Sequence, residues 1–273
     1  MGLARLDATF ARLRAAGEAA FVPFLVIGDP DLSTTLLLTE ALVEGGADIL
    51  EFGFPFSDPP ADGPVIQAAD VRALASGTTP PACFEVLEAV RARHDQPIAL
   101  LLYFNLLLQY DGGVDGFFRR AAEVGVDAVL VADVPLGEAD ELVAAGADHD
   151  VAAVFIGGTF SSDDRLRALG SVGTGYLYAV ARIGTTGEAD GVDPELGGTI
   201  ARLKEHTGLP VMVGFGISTP EDVRAVTRAG ADGVIVGSAI VRRTQEHADD
   251  PVRAVAEVRR FTEAMKNATR RQE

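Results

Sequence analysis

The chain has 273 residues, 48% of them hydrophobic, with 40 acidic side chains against 23 Lys and Arg and a formal net charge of −17. The apolar fraction excludes disorder as the main state, and the charge argues against nucleic acid and anionic membrane as partners, since both require a basic face. A single cysteine, Cys83, excludes an internal disulfide framework and a Cys-based zinc site and points to the cytoplasm as the compartment.

Residues 1–21 alternate apolar and charged side chains at helical spacing and lack the continuous apolar run of a signal peptide, so an N-terminal helix is expected. The apolar run FVPFLVI at 21–27 reads as the first strand, and a helical stretch follows at 31–46. The second run, DILEFG at 48–53, carries Glu51 inside an apolar strand and opens into a long loop, GFPFSDPPADGP at 53–64. A helical stretch at 81–94 holds Cys83 as an apolar filler. Further runs stand at 98–103, 128–133, 151–156 and 175–180. The longest apolar stretch, 98–108, is too short to span a bilayer and is interrupted by Asn105. A second long loop, ARIGTTGEADGVD at 181–193, precedes the last two runs at 209–214 and 233–237.

Gly-Ala-Asp or Gly-Val-Asp stands, among other places, at 46–48, 125–127, 146–148 and 230–232, and three of these four lead straight into an apolar run. Glycine after a helix is the expected stop, so the theme reads as helix, glycine, buried strand. Continuous rather than alternating apolar runs indicate parallel strands covered on both faces. Eight such βα units without a composition break predict one (β/α)8 barrel, a TIM barrel with an extra N-terminal helix, in a single domain over 1–273. An open doubly wound sheet is the alternative.

Chemistry is expected on the long loops at the C-terminal ends of the strands. A carboxylate at Glu51 must face the barrel mouth or find a partner, because burying it alone is costly; desolvation would raise its pKa and suit it to acid–base work. Asp62 lies in a good turn sequence, yet with Glu51 it makes two carboxylates at one mouth that could divide acid and base roles. Asp58 reads as a turn residue, and Asp29 and Asp133 as loop supports. Tyr178 ends the sixth strand and is either a mouth residue or a barrel filler. Gly214-Phe-Gly216-Ile-Ser218 and Gly237-Ser238-Ala239 follow the seventh and eighth strands, where barrels bind phosphate through backbone N–H groups and helix N-termini. Such a site needs no Lys or Arg, which removes the objection raised by the acidic charge. None of the four histidines stands at ligand spacing from another His or Cys, so no metal is expected. Lysine occurs only at Lys204 and Lys266, a bias that salt adaptation and a GC-rich genome both explain.

These segments together resemble the tryptophan synthase α subunit family. LEFGFPFSDPPADGPVIQ at 50–67 is the most diagnostic match, and FVPFLVIGDPD at 21–31, VLVADVP at 129–135, GYLYAVARIGTTG at 175–187, GFGIS at 214–218 and GSAIV at 237–241 match in order. The resemblance covers essentially the whole chain and implies a lyase of tryptophan biosynthesis. Such a lyase cleaves indole-3-glycerol phosphate by a retro-aldol reaction to indole and glyceraldehyde 3-phosphate. It implies Glu51 and Asp62 as catalytic acid–base groups, with Asp62 accepting the indole N–H. It places Phe24, Leu101, Leu130, Ala132 and Tyr178 about the indole slot, and Gly187, Gly216, Gly237 and Ser238 in the phosphate cradle. Arg182 and Thr186 fall in a closing loop, where Thr186 would hold Asp62. No cofactor is expected in this chain. The implied partner is a pyridoxal-phosphate β subunit in an αββα heterotetramer that receives the indole. The loop after the second strand would lie at that interface, so an apolar patch is expected around Phe54, Pro55 and Pro60. A free-standing indole-producing lyase and another phosphosugar-binding barrel, such as an isomerase, are the competing readings.

Overall fold

In a computed structural model that describes residues 2–180, 194–214 and 216–271, eight parallel strands close into a barrel in chain order. The strands are β1 (Ala20–Val26), β2 (Leu50–Gly53), β3 (Ile98–Leu102), β4 (Ala128–Val131), β5 (Ala152–Gly158), β6 (Leu177–Val180), β7 (Val211–Val213) and β8 (Gly233–Val236). They fall within or about the eight apolar runs. The first helices are α1 (Gly2–Ala15), α2 (Leu32–Glu44), α3 (Pro64–Ala75) and α4 (Pro80–Arg91). Around the rest of the barrel run α5 (Phe104–Leu108), α6 (Gly113–Glu123), α7 (Asp140–His149), α8 (Asp163–Val172), α9 (Pro194–Thr207), α10 (Pro220–Arg228), α11 (Ser238–Glu246) and α12 (Pro251–Asn267). No helix among the described residues is long and apolar enough to cross a membrane.

Strand side chains alternate between two apolar layers. Leu50, Phe52, Leu100, Leu102, Leu177 and Val213 point outward and pack under the helices. Ile49, Ala99, Leu130, Val154, Tyr176 and Met212 point inward and fill the barrel. Leu6, Phe10 and Leu13 of α1 join that interior layer, with the Phe10 and Tyr176 rings edge-to-face at 6.5 Å, so α1 plugs the N-terminal end of the barrel. Cys83 is buried in the outer layer, as its helical setting suggested.

Three of the Gly-x-Asp repeats have a common role at that end. Gly46, Gly125 and Gly230 take left-handed backbone angles after their helices. Each following aspartate accepts an amide at the start of a neighbouring strand: Asp48 from Phe21 at 3.0 Å, Asp127 from Ile98 at 2.8 Å, Asp232 from Val211 at 2.9 Å. Each is also held by cations: Arg12 and Lys266 on Asp48, Arg5 and Arg91 on Asp127, Lys204 on Asp232. The fourth repeat, at 146–148, lies inside α7 and does none of this.

The expected surface patch after β2 is not there. Phe54 is only 3% exposed, and its ring lies 5.2 Å from that of Phe84 and 5.8 Å from that of Phe117. The cause is strand parity: Phe52 and Phe54 share the outward face, which the helices cover. Pro55 is buried too, and of the three residues only Pro60 is exposed. Phe54→Ala should therefore behave as a core truncation and cost about 3–5 kcal/mol. Urea unfolding should show a lower midpoint at unchanged slope; a midpoint equal to that of the parent would mean the ring contributes no packing.

Candidate active site

The C-terminal ends of the strands surround a cavity of about 520 Å3. Glu51, Asp62, Phe24, Leu101, Ala132, Tyr178, Gly216, Gly237 and Ser238 all line it. Leu130 does not: it sits in the filled interior of the barrel with Ala128 and Val154. Arg182, Thr186 and Gly187 lie outside the described residues.

Glu51 is placed by strand parity. Ile49 faces the barrel interior, so Glu51, two residues on, faces it as well, paired in register with Phe24 of β1 and Ala99 of β3. It is 1% exposed, and its Oε1 has no hydrogen-bond partner. Burial pushes its carboxyl pKa up to about 8, so at neutral pH it is a buried acid holding a proton. Tyr178 donates a hydrogen bond to the Gly214 carbonyl at 3.2 Å. A Cβ on Gly214 would lie 2.2 Å from the tyrosine oxygen, so only glycine lets that ring lie flat against β7. Burial, and then the charge of Glu51, raise the Tyr176 and Tyr178 phenols, which stay neutral.

Asp62 is held by a residue to which the sequence reading gave no role. Tyr103, just past β3, donates its hydroxyl to Asp62 Oδ2 at 2.7 Å and accepts the Ala61 amide at 3.2 Å. Its ring stacks on Phe56 with centroids 5.2 Å apart. The Asp62 carbonyl accepts from Gln67 at 2.8 Å. Burial raises the Asp62 carboxyl pKa, and the Tyr103 hydroxyl offsets only part of that rise. The two carboxyls thus sit in unlike environments, one apolar and one hydrogen-bonded, which is how a pair comes to divide acid and base work. Asp70, buried on α3, is a third carboxyl in this corner; burial and the nearby Asp62 push its pKa up to about 7. Asp29 and Asp133 are loop supports as expected: Asp29 takes both arms of Arg72 at 2.7 and 2.9 Å, and Asp133 accepts the Phe104 amide.

The two glycine turns differ. Before α10 the amides of Ser218 and Thr219 are consumed by Asp222, at 2.9 and 2.8 Å. That helix start is closed by its own capping box. Before α11, Gly237 is the N-cap and no side chain caps the helix. Gly216 has φ +78, and an added Cβ would meet nothing within 4 Å, so its backbone is open to the cavity. Anion-binding capacity therefore rests on α11 and the bare backbone at Gly216. One residue that sequence reasoning passed over, Arg242, also lines the cavity. Three histidines pair with acids instead of with one another: His94 with Glu40, His149 with Asp115 and His206 with Asp163. Among the described residues no group of three His, Cys, Asp or Glu could hold a metal ion.

Residues 10–270 match the family model described as tryptophan synthase alpha chain. The tryptophan synthase alpha chain of Shewanella amazonensis is 47% identical over 266 residues, covering 97% of this chain and 99% of its own length. That of an Escherichia coli strain is 46% identical over 268 residues, covering 98% and 99%. Among solved structures, the alpha subunit from Legionella pneumophila superposes with a TM-score of 0.88 at 33% identity, covering 97% of this chain and 98% of its own. A chain of Mycobacterium tuberculosis tryptophan synthase superposes at 0.87 with 29% identity, covering 98% and 99%.

The raised pKa of Glu51 has a sign for stability. Between about pH 4.5 and 8 the folded chain keeps a proton that an unfolded chain releases, so this group weakens the fold increasingly as pH rises through that window. Glu51→Gln removes the titration. Its melting temperature relative to the parent should therefore rise from pH 5 to pH 8.5 in calorimetry; a difference that does not change with pH would mean that Glu51 ionises normally.

Proposed function

This chain belongs to the tryptophan synthase alpha chain family, and on that premise we propose which of its residues perform the lyase half-reaction that cleaves indole-3-glycerol phosphate. The observation that carries the assignment is the unpartnered, buried Glu51 carboxyl sharing one cavity with the hydrogen-bonded Asp62.

The electron bookkeeping assigns the roles. Indole is a poor carbon leaving group until its C3 is protonated. Glu51, neutral at physiological pH, gives its proton to C3 and the ring becomes an indoleninium. Asp62 accepts the ring N–H and stabilises the developing positive charge. The Glu51 carboxylate left behind removes the proton from the hydroxyl on the adjacent glycerol carbon. That C–O bond becomes the aldehyde carbonyl, the C3–carbon bond breaks, and its electron pair restores the aromatic ring. Glu51 ends protonated, ready for another turnover. The ring itself is the electron sink. A group that must act first as acid and then as base works best with a pKa near the working pH, and burial supplies that.

Phe24, Leu101, Ala132 and Tyr178 would form the walls that hold the indole plane. The phosphate would rest on the uncapped start of α11, at Gly237 and Ser238, and against the open backbone of Gly216. By the match of their segment alone, Arg182 and Thr186 are assigned to closing the site against water and Gly187 to the phosphate cradle. The family implies a β-subunit partner; we assign it the αββα arrangement, receipt of the indole and the pyridoxal phosphate, and this chain no cofactor of its own.

Glu51→Gln and Asp62→Asn should each lower the cleavage rate by at least about a hundredfold while circular dichroism stays that of the parent. Near-normal turnover in either variant would remove that residue from the chemistry. Gly216→Asp places a negative charge at the open backbone, at a left-handed position that Asp tolerates better than most residues. It should raise KM for indole-3-glycerol phosphate about tenfold or more, and an unchanged KM would move the phosphate elsewhere. Indole release by the purified chain should accelerate on addition of a tryptophan synthase β subunit; equal rates with and without it would favour a free-standing lyase.

A further inference from the structure

Among the described residues lining the cavity, three carry an acidic or basic group: Glu51, Asp62 and Arg242. Two acids and a chain of net charge −17 make a poor entrance for a phosphate-bearing substrate, because the long-range field repels it. Arg242 is the cation on the other side of that balance. It is exposed and has no ion-pair or hydrogen-bond partner among the described residues. Its neighbour Arg243 is fully engaged, donating to the Ala239 carbonyl at 2.7 Å and lying 3.6 Å over the Phe261 ring.

Helix geometry directs Arg242 at the same spot as the helix start. It stands four residues after Ser238 on α11, hence one turn along on the same face. Helical side chains lean towards the N-terminus, so the guanidinium projects back along α11 towards Gly237 and Ser238. Those residues carry the uncapped amides, and both border the cavity. One anion can therefore meet the backbone donors from below and the guanidinium from the side. Arginine suits this task because its planar fork presents paired donors to a phosphate.

We propose that Arg242 is a phosphate-binding residue of this site that also steers the anionic substrate into the cavity. The inference rests on the reading of α11 and Gly216 as the phosphate end. It adds a side-chain cation to a cradle that, judged from the glycine turns alone, needed none.

The test compares the parent with Arg242→Gln and Arg242→Lys in steady-state cleavage of indole-3-glycerol phosphate from 20 to 500 mM NaCl, alongside inhibition by glycerol 3-phosphate and by indole. Arg242→Gln should raise KM, and the inhibition constant of glycerol 3-phosphate, about tenfold at low salt. Its kcat should stay within about twofold of the parent, and the constant for indole should not move. The fall of kcat/KM with salt should be shallower than in the parent, because a screened attraction has been removed. Arg242→Lys should recover most of the loss by restoring the charge. An Arg242→Gln enzyme with the parent's KM, glycerol 3-phosphate constant and salt dependence overturns the role of Arg242 and leaves the phosphate end standing. A parent that glycerol 3-phosphate does not inhibit overturns the phosphate reading itself, and this inference with it. A fall in kcat at constant KM assigns Arg242 to structure instead.

Discussion

A carboxylic acid inside a closed barrel is the constraint on which the rest of this molecule depends. Glu51 stands in a strand whose every residue is buried, with one oxygen unpartnered. Desolvation of this kind opposes ionisation, and no neighbouring cation offsets it, so burial is the sole cause of the raised pKa. The fold tolerates the misfit because the group is kept neutral and because the surrounding layers are well filled. The outer layer closes without help from the site: Phe52 and Phe54 turn away from the cavity, and Phe54 packs on Phe84 of α4 and Phe117 of α6. The same pleat that aims Glu51 inward aims these rings outward.

Stability and chemistry occupy opposite ends of the barrel. At the N-terminal end, Asp48, Asp127 and Asp232 are ionic staples, each tied to a strand amide and to at least one Lys or Arg, while α1 plugs the interior. At the C-terminal end the acids are handled differently. Glu51 has no such staple, Asp62 is held by a neutral phenol, and Asp70 is pressed towards neutrality by burial and then by Asp62. Only Asp29, anchored on Arg72, follows the pattern of the other end. Acids paired with cations fix structure. Glu51, denied a cation, stays able to move a proton near neutral pH, which the proposed cleavage requires.

The second physical problem is how an acidic protein binds a phosphate ester. Backbone amides answer part of it, since a helix start attracts anions without adding net charge. The two glycine turns are not equivalent here, because Asp222 closes one of them with its own side chain. That leaves α11 as the open helix start, with Arg242 one turn along it. Arg242 is the one cation among the described residues lining the mouth, and its effect exceeds its share of the total charge, since potentials inside a concave, low-dielectric cleft are focused.

Much of this was legible in the sequence. Eight continuous apolar runs, six of them with glycine at or next to an end, determined a parallel barrel, and the helical spacing of the first residues determined α1. A glutamate within an apolar strand announced itself as chemically unusual, and the adjoining Asp-Gly-Pro turn brought Asp62 with it. These signals are local: periodicity and burial cost act over a few residues. What only the tertiary structure decided is pairing across distance. Tyr103 reaches Asp62 from 41 residues away. Phe54 is core because α4 and α6 cover its face of the sheet. The repeated aspartates are staples because neighbouring strand ends converge on them, and Arg242 belongs to the cavity because α11 starts at its rim. A strand's residue pattern specifies which way its side chains alternate, but what each one meets is set by barrel closure, and closure brings together residues that the linear chain keeps apart.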